Sequence, residues 1–394
     1  MCFRALPATS KNITVIGYLA YLGYSLHFVL RSVVLPAIKA DFGLTFTQSG
    51  FLFGTASIAY FVTTGFSGKI SQWIGQRASL SVYLAAQMIC ALGLALTANF
   101  AMLIAFFLLS GACYGGIECA AIVLATRYCG NDAHIVRARM FGVFCVGGAV
   151  SAVMGSGFVH FGIGWRTAFV LVGAVCFIPF FISLFIDDLG ADAAPKIEFA
   201  QLGGLFRNRA FMLSCIALTL SSGAENASNI WMMSILTTSP GMNVFVSGCY
   251  TAAYYLSVFV GRTFLISMFE RFKRPKTALC LSVGSGFFVL LVSFVSDTDT
   301  IFAAIVVFGL IVSCVYPLMI SIASGQTRES LVFPFSFAMI SAGSFSINLS
   351  TGAVADFTGI SNVFRFNAIL FVAAAALIFF NRSRVDGSGS PENR

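Results

Sequence analysis

The chain has 394 residues, 58% of them hydrophobic and only 10% charged, with a formal net charge of +8. Soluble domains carry about 25% charged residues, and a soluble core of this length has no need of Phe at 43 positions. The composition excludes an ordinary soluble globular protein and points to one built in the bilayer.

Windows of about 20 apolar residues mark membrane-spanning helices. In chain order they predict spans over 13–36, 45–67, 78–98, 101–126, 138–160, 164–186, 210–236, 242–268, 277–296, 300–324, 330–355 and 361–381. The expected fold class is therefore an all-α membrane protein of twelve transmembrane helices. The polar stretch DDLGADAAPKIEFAQLGGLFRNRA follows residue 186 and divides the helices six and six. The expected organisation is a bundle over 1–186, a central cytoplasmic loop over 187–209, a second bundle over 210–381 and a cytoplasmic tail over 382–394. With the N-terminus inside, 18 of the 23 basic residues fall in cytoplasmic segments, and only Lys39, Arg166 and Arg365 in outer loops. Both termini are then cytoplasmic, and the positive charge is the orientation signal and no nucleic-acid footprint. The expected location is the inner membrane of a bacterium, or its equivalent, with lipid as the surrounding partner and a monomer as the working unit. The N-terminus shows no cleavable signal.

Eleven cysteines are scattered without a CxxC pair or a Cys/His cluster. They read as small apolar filler, and no metal or organic cofactor is expected. No nucleophile–base pair or nucleotide motif is present, so no enzyme is expected. The glycines of GVFCVGGAVSAVMGSG permit close helix contact and lack the strand–turn–helix setting of a phosphate loop.

The two halves slide over each other at one offset. GACYGGIECAAIVLA (111–125) falls on GLIVSCVYPLMISIA (309–323), so Gly111 meets Gly309, Ile122 meets Ile320 and Ala125 meets Ala323. The same offset of 309 − 111 = 198 sets His27 on Glu225, Arg31 on Asn229 and Gln72 on Glu270. Identity is low, but one register serves several helices.

Charges at bilayer depth are costly and mark function or pairing. At about 1.5 Å per residue, His27 and Glu225 lie near mid-depth, Arg31 about 9 Å further out and Glu118 about 7 Å to the cytoplasmic side. His27 and Arg31 share a face of their helix. These four are the candidate proton- and solute-coupling residues, and a pair of structural salt bridges is the bland alternative. Arg262 lies near the cytoplasmic end of its helix and reads as an interface anchor that snorkels. Asn226, Asn229, Trp231, Gln48, Tyr114 and Tyr316 are candidate solute-binding groups, because sugars need amides, hydroxyls and an aromatic face. Interhelical hydrogen bonding is their alternative.

The loop GKISQWIGQRASL (68–80) resembles the major facilitator superfamily signature Gly-x-x-x-Asp-Arg-x-Gly-x-Arg. Gly68, Gly75 and Arg77 match; Gln72 and Trp73 replace the acid and the Arg. The second-half copy keeps Glu270 and Arg271. The resemblance implies that Gly68, Gln72, Gly75, Arg77, Glu270 and Arg271 form a conformational motif, that two pseudo-symmetric six-helix bundles rock about a midplane solute site, and that the first, fourth, seventh and tenth helices line it. LPAIKADFGLTFTQSG, GGIECAA, SSGAENASNIW, FVGRTF and VYPLMIS together resemble the fucose permease branch of sugar:proton symporters. The chain departs from that branch at Arg31-Ser32, where Asn-Asp is usual, in lacking Asn-Pro after Glu118, and at Gln72. The resemblance implies a secondary transporter of a hexose or similar small polar solute, with the proton as coupling ion. A carrier or exporter of a small organic anion or drug, and a non-transporting sensor on a transporter scaffold, are the alternatives.

Overall fold

The computed structural model describes residues 10–186, 200–265, 268, 274–326 and 332–387. Fourteen α-helices are found among them, with no strand. Ten are long and apolar enough to cross a membrane. They are α1 (Ser10–Val33), α4 (Gln76–Ala95), α5 (Phe100–Cys129), α6 (Ala133–His160), α7 (Trp165–Ser183), α10 (Val244–Val260), α11 (Arg274–Val292), α12 (Thr298–Ser324), α13 (Val332–Thr358) and α14 (Asn362–Gly387). Two more, α3 (Phe46–Ile74) and α9 (Arg209–Leu236), are long enough at 29 and 28 residues but more polar. With them each of the twelve predicted spans holds a long helix among the described residues. The short α2 (Leu35–Phe42) and α8 (Ala200–Arg207) are extra.

Two predicted spans are interrupted. The first breaks at Val34 because Pro36, lacking an N–H, belongs in the first turn of a new helix. The span over 242–268 leaves the α-helix at Gly261 and continues as a π-helical turn, Gly261–Leu265. After α2, Gly43 takes φ +60, a left-handed value that closes the helix.

The described residues fall in two compact units. One comprises those within Met1–Leu44, Thr55–Pro195 and Asn243–Ala252; the other those within Thr45–Gly54, Lys196–Met242 and Ala253–Arg394. Each unit thus includes the first nine residues of a helix whose remainder is grouped with the other. The two exchanged stretches obey the repeat: 45 + 198 = 243 and 54 + 198 = 252. Each begins with an N-cap. Thr45 Oγ1 accepts from the Gln48 N–H at 3.0 Å, and its mate Asn243 accepts from the Val246 N–H at 2.9 Å. Gly50, in the second unit, is backed against the Asn348 carbonyl of α13. Its mate Gly248, in the first unit, is backed against Ser156 of α6.

The packing inside each unit follows the same register. A Cβ on Gly111 would strike the Ala56 carbonyl, and one on Gly309 would meet the Tyr254 carbonyl. Since 56 + 198 = 254, the repeat read from the chain is a repeat of contacts. Without a hydrophobic drive between helices in lipid, such close approach is a main source of association. The first unit's core joins Ile13, Ile16 and Ala20 of α1 to Leu84 of α4 and Ile117 of α5. The second joins Leu218 of α9, Leu281 of α11, Val315 and Leu318 of α12 and Ile378 of α14.

Outside the spans, Asp41 of α2 ties α2 to the start of α7. Its Oδ2 accepts from Trp165 Nε1 at 2.8 Å and from Arg166 Nη1 at 2.6 Å. The Trp165 hydrogen bond, helped by Arg166, holds the Asp41 carboxyl below its ordinary range. Among the described residues the ten cysteines are free thiols, and no His/Cys/Asp/Glu group is arranged to hold a metal.

Candidate functional site

In the first unit a polar and aromatic column runs along α1 through Tyr21, Tyr24, His27 and Arg31, spaced three and four residues apart on one face. Helix α5 places Tyr114 and Glu118 one turn apart, and α3 places Tyr60 beside them. Tyr60 donates its phenolic hydrogen to Glu118 Oε2 at 2.9 Å. Glu118 is half-buried. Gly115 and Gly116 make room: Gly115 is backed against the Tyr60 carbonyl and Thr64, Gly116 against the Tyr83 ring.

Arg31 is 1% exposed. Its guanidinium lies 4.8 Å from the Tyr114 ring centre, 5.0 Å from Phe107 and 5.4 Å from Phe28, and Nη1 donates to Ser110 Oγ. Tyr114 stacks in turn on Tyr24, with centroids 4.6 Å apart. Cation–π contact of this kind is strong where water is excluded. His27 is fully buried, with its ring edge toward Tyr114 at 5.6 Å and Phe169 at 5.9 Å. Neither ring nitrogen makes a hydrogen bond, nor do the Tyr114 hydroxyl and the Gln87 amide. Buried polar atoms are rarely left this way, and the exceptions gather where a protein works.

In the second unit, α9 carries Ser222, Glu225, Asn226 and Asn229 along one stripe. Ser222 Oγ and Asn229 Oδ1 are buried without a hydrogen bond, while Glu225 and Asn226 are half-buried. Tyr316, the repeat mate of Glu118, is half-buried on α12.

Three candidates take other places. Gln48 sits at the exposed start of α3, where its side-chain oxygen accepts from the Thr45 N–H at 2.9 Å and completes a capping box. Trp231 is fully buried and donates Nε1 to Thr351 Oγ1 at 2.9 Å, so it spaces α9 from α13 and offers no open face. Tyr114, at 2% exposure, is a wall of the Arg31 cage.

In the motif loop, Gly75 takes φ +85, which only glycine adopts without strain, and precedes α4. Arg77 donates to the Leu184 carbonyl past the end of α7. Gly68, Gln72 and Trp73 are exposed. Glu270 and Arg271 lie outside the described residues. Tyr24, Tyr60, Ser110 and Phe107 escape a sequence reading, because uncharged hydroxyls and rings are common in spans. The signal available is their helical spacing from Arg31 and Glu118.

The sequence profile of the Major Facilitator Superfamily matches residues 17–324. The chain belongs to the major facilitator superfamily. It is a multi-pass membrane protein and a secondary transporter of a small-molecule solute by alternating access. A search of curated proteins finds no match. Among solved structures, a bacterial homolog of the human lysosomal transporter Spinster aligns with TM-score 0.76 at 16% identity, over 97% of this chain and 99% of that one. The nucleoside transporter NupG, as a D323A mutant, aligns with TM-score 0.77 at 13% identity, over 94% and 99%. At these identities the likeness is one of superfamily fold.

Proposed function

We propose that this superfamily member carries a hexose or a similar small neutral solute together with protons, across an inner membrane with both termini cytoplasmic. The observation that carries the reading is the Tyr60–Glu118 hydrogen bond. A half-buried carboxylate held by a neutral phenol can take up and release a proton while its hydrogen-bond partner stays in place. Neutral hydroxyls and amides suit a polyol: Tyr60 in the first unit, Ser222, Asn226 and Asn229 in the second. The fucose permease marks Leu35, Pro36, Phe42, Leu44, Thr45 and Gly50 point to the same solute class.

The enclosure of Arg31 by three rings and Ser110 speaks against a direct anion ligand. Arg31 instead supplies a fixed positive field beside Tyr114. A nucleoside is the second reading. The aromatic column that includes the Tyr24–Tyr114 stack suits a base ring, and NupG is named a nucleoside transporter.

Uptake of labelled L-fucose, D-galactose and uridine into proteoliposomes tests this, with and without an inward proton gradient, for the wild type and Glu118→Gln. Gradient-driven sugar uptake that is lost in Glu118→Gln is the expected result. Uptake blind to the gradient overturns the coupling. Uridine uptake alone selects the second reading, and no uptake of any of the three removes the hexose and nucleoside readings together.

A further inference from the structure

Helix α3 runs unbroken from Phe46 to Ile74, yet its first nine residues are grouped with the second unit and the rest with the first. The body of the helix is anchored in the first unit. Its Ala56 and Tyr60 carbonyls back onto Gly111 and Gly115 of α5, and the Tyr60 phenol donates to Glu118. The start of the helix lies in the second unit, along α13. A Cβ on Gly50 would strike the Asn348 carbonyl, one on Gly352 the Phe46 carbonyl, and one on Gly54 the Phe345 ring. The helix holds no proline to kink at, and a stiff helix cannot keep both sets of contacts while the two units move against each other. Alternating access therefore peels residues 46–54 from α13 in part of every cycle.

The repeat mate behaves alike. The body of α10 is anchored in the second unit, where the Tyr254 carbonyl backs onto Gly309 of α12. Its start lies in the first unit, with Gly248 against Ser156 of α6 and the Phe245 ring 6.0 Å from those of His160 and Phe161. The two strips differ in how they close. Adding 198 to 47 gives Phe245, and subtracting 198 from 356 gives Phe158. Where the first unit has rings, the second has the Asp356 carboxylate, which accepts from the Phe46 N–H at 2.9 Å, the Thr47 N–H at 2.8 Å and Thr47 Oγ1 at 2.6 Å. Hydrogen bonds to a charged group are short and directional, and they are lost once the atoms part. As a cap the acid is redundant, because Thr45 and Gln48 already box the start of α3. What it adds is a tie between two helices.

We propose that Asp356 is a latch, a positioning residue that holds the start of α3 on α13 in one state of the transport cycle and releases it in the other. A contact made in only one of two states shifts their balance by its own worth. Asp356 therefore sets how much of the time residues 46–54 lie on α13. The inference rests on alternating access and not on the solute, so it stands or falls apart from the hexose and proton reading.

Hydrogen–deuterium exchange of the purified full-length protein in detergent, read peptide by peptide in a mass spectrometer, follows that balance without any solute. Asp356→Ala is expected to raise the exchange rate over residues 45–54 about fivefold, the population shift that the loss of one capping group controls. Residues 243–252 decide what the acid does, because they belong to the other unit. Releasing a latch frees the units to move, so 243–252 is expected to speed up by about the same factor, while the middle of α5 keeps its wild-type rate. Faster exchange over 45–54 alone makes Asp356 a local cap and overturns the latch. Unchanged exchange in both strips overturns it as well, and so does an equal rise in α5, which marks general loosening.

Should Asp356→Ala fail to fold, Thr47→Val decides. It removes the hydroxyl donor and keeps the acid, both N–H partners and the shape of the side chain. Both strips are then expected to exchange about threefold faster, in keeping with the loss of one hydrogen bond. A rise confined to 45–54, or none in either strip, overturns the latch.

Discussion

Tyr60 and Glu118 form a pair whose worth can be set by one atom. Tyr60→Phe keeps the ring and removes the donor. A hydrogen bond to a charged group contributes about 1.5–3 kcal/mol, so proton-driven uptake is expected to fall about tenfold or more in proteoliposomes, with fucose or galactose as probe. Asp41 offers a prediction of opposite kind. Its carboxyl is held below the ordinary 3.8, by Trp165 first and Arg166 after it. The ionised form therefore adds stability above that value, and the contribution fades as pH falls through the folded value. Asp41→Asn should flatten the acid limb of the melting curve as pH falls below the ordinary 3.8. The side chains of Arg166 and Asp41 are 44% and 42% exposed, so solvent screening keeps the effect small. His27, Arg31, Glu118 and Glu225 are legible as site candidates because a charge stands out against lipid-like sequence. The capping-box role of Gln48 is not legible, because the sequence alone does not show where α3 starts.

Helices carry the second set of consequences. Helix α3 begins with its own Thr45–Gln48 box, yet the Asp356 carboxylate of α13 also accepts from the N–H groups of Phe46 at 2.9 Å and Thr47 at 2.8 Å, and from Thr47 Oγ1 at 2.6 Å. A remote acid is thus a second N-cap, placed where the helix dipole favours it. Asp356→Ala is expected to cost about 1–2 kcal/mol, the usual worth of a cap. Asp356→Asn, which keeps one acceptor oxygen, should cost less, and thermal melts of both variants check the order. The two repeat-matched glycines make a paired test. Gly111→Val and Gly309→Val each put methyls into a neighbour's backbone, and overpacking costs about 1–3 kcal/mol. Both should lower the melting point, Gly111→Val more, since its neighbour is closer. Helix positions are legible throughout from hydropathy. The break at Val34 and the π turn are not, because a window average over 20 residues is blind to one residue of register.

For the whole molecule, the offset of 198 residues is the most informative thing in the chain. It sets Gly111 on Gly309, and the two glycines meet neighbours, Ala56 and Tyr254, that stand at the same offset. A duplicated bundle keeps its close approaches after its side chains have drifted. What the offset could not show is that residues 45–54 and 243–252 each lodge in the other compact unit, since exchange leaves no mark on local composition. That exchange has a consequence in time. Thr47 leaves the ribosome 309 residues before Asp356. At about 5–20 residues per second, the start of α3 waits roughly 15–60 s for the acid that caps it. Throughout that interval the first-made bundle is held in the membrane with one end unfinished, and a pulse of protease during synthesis should cut near Thr45 in nascent chains but spare the completed protein.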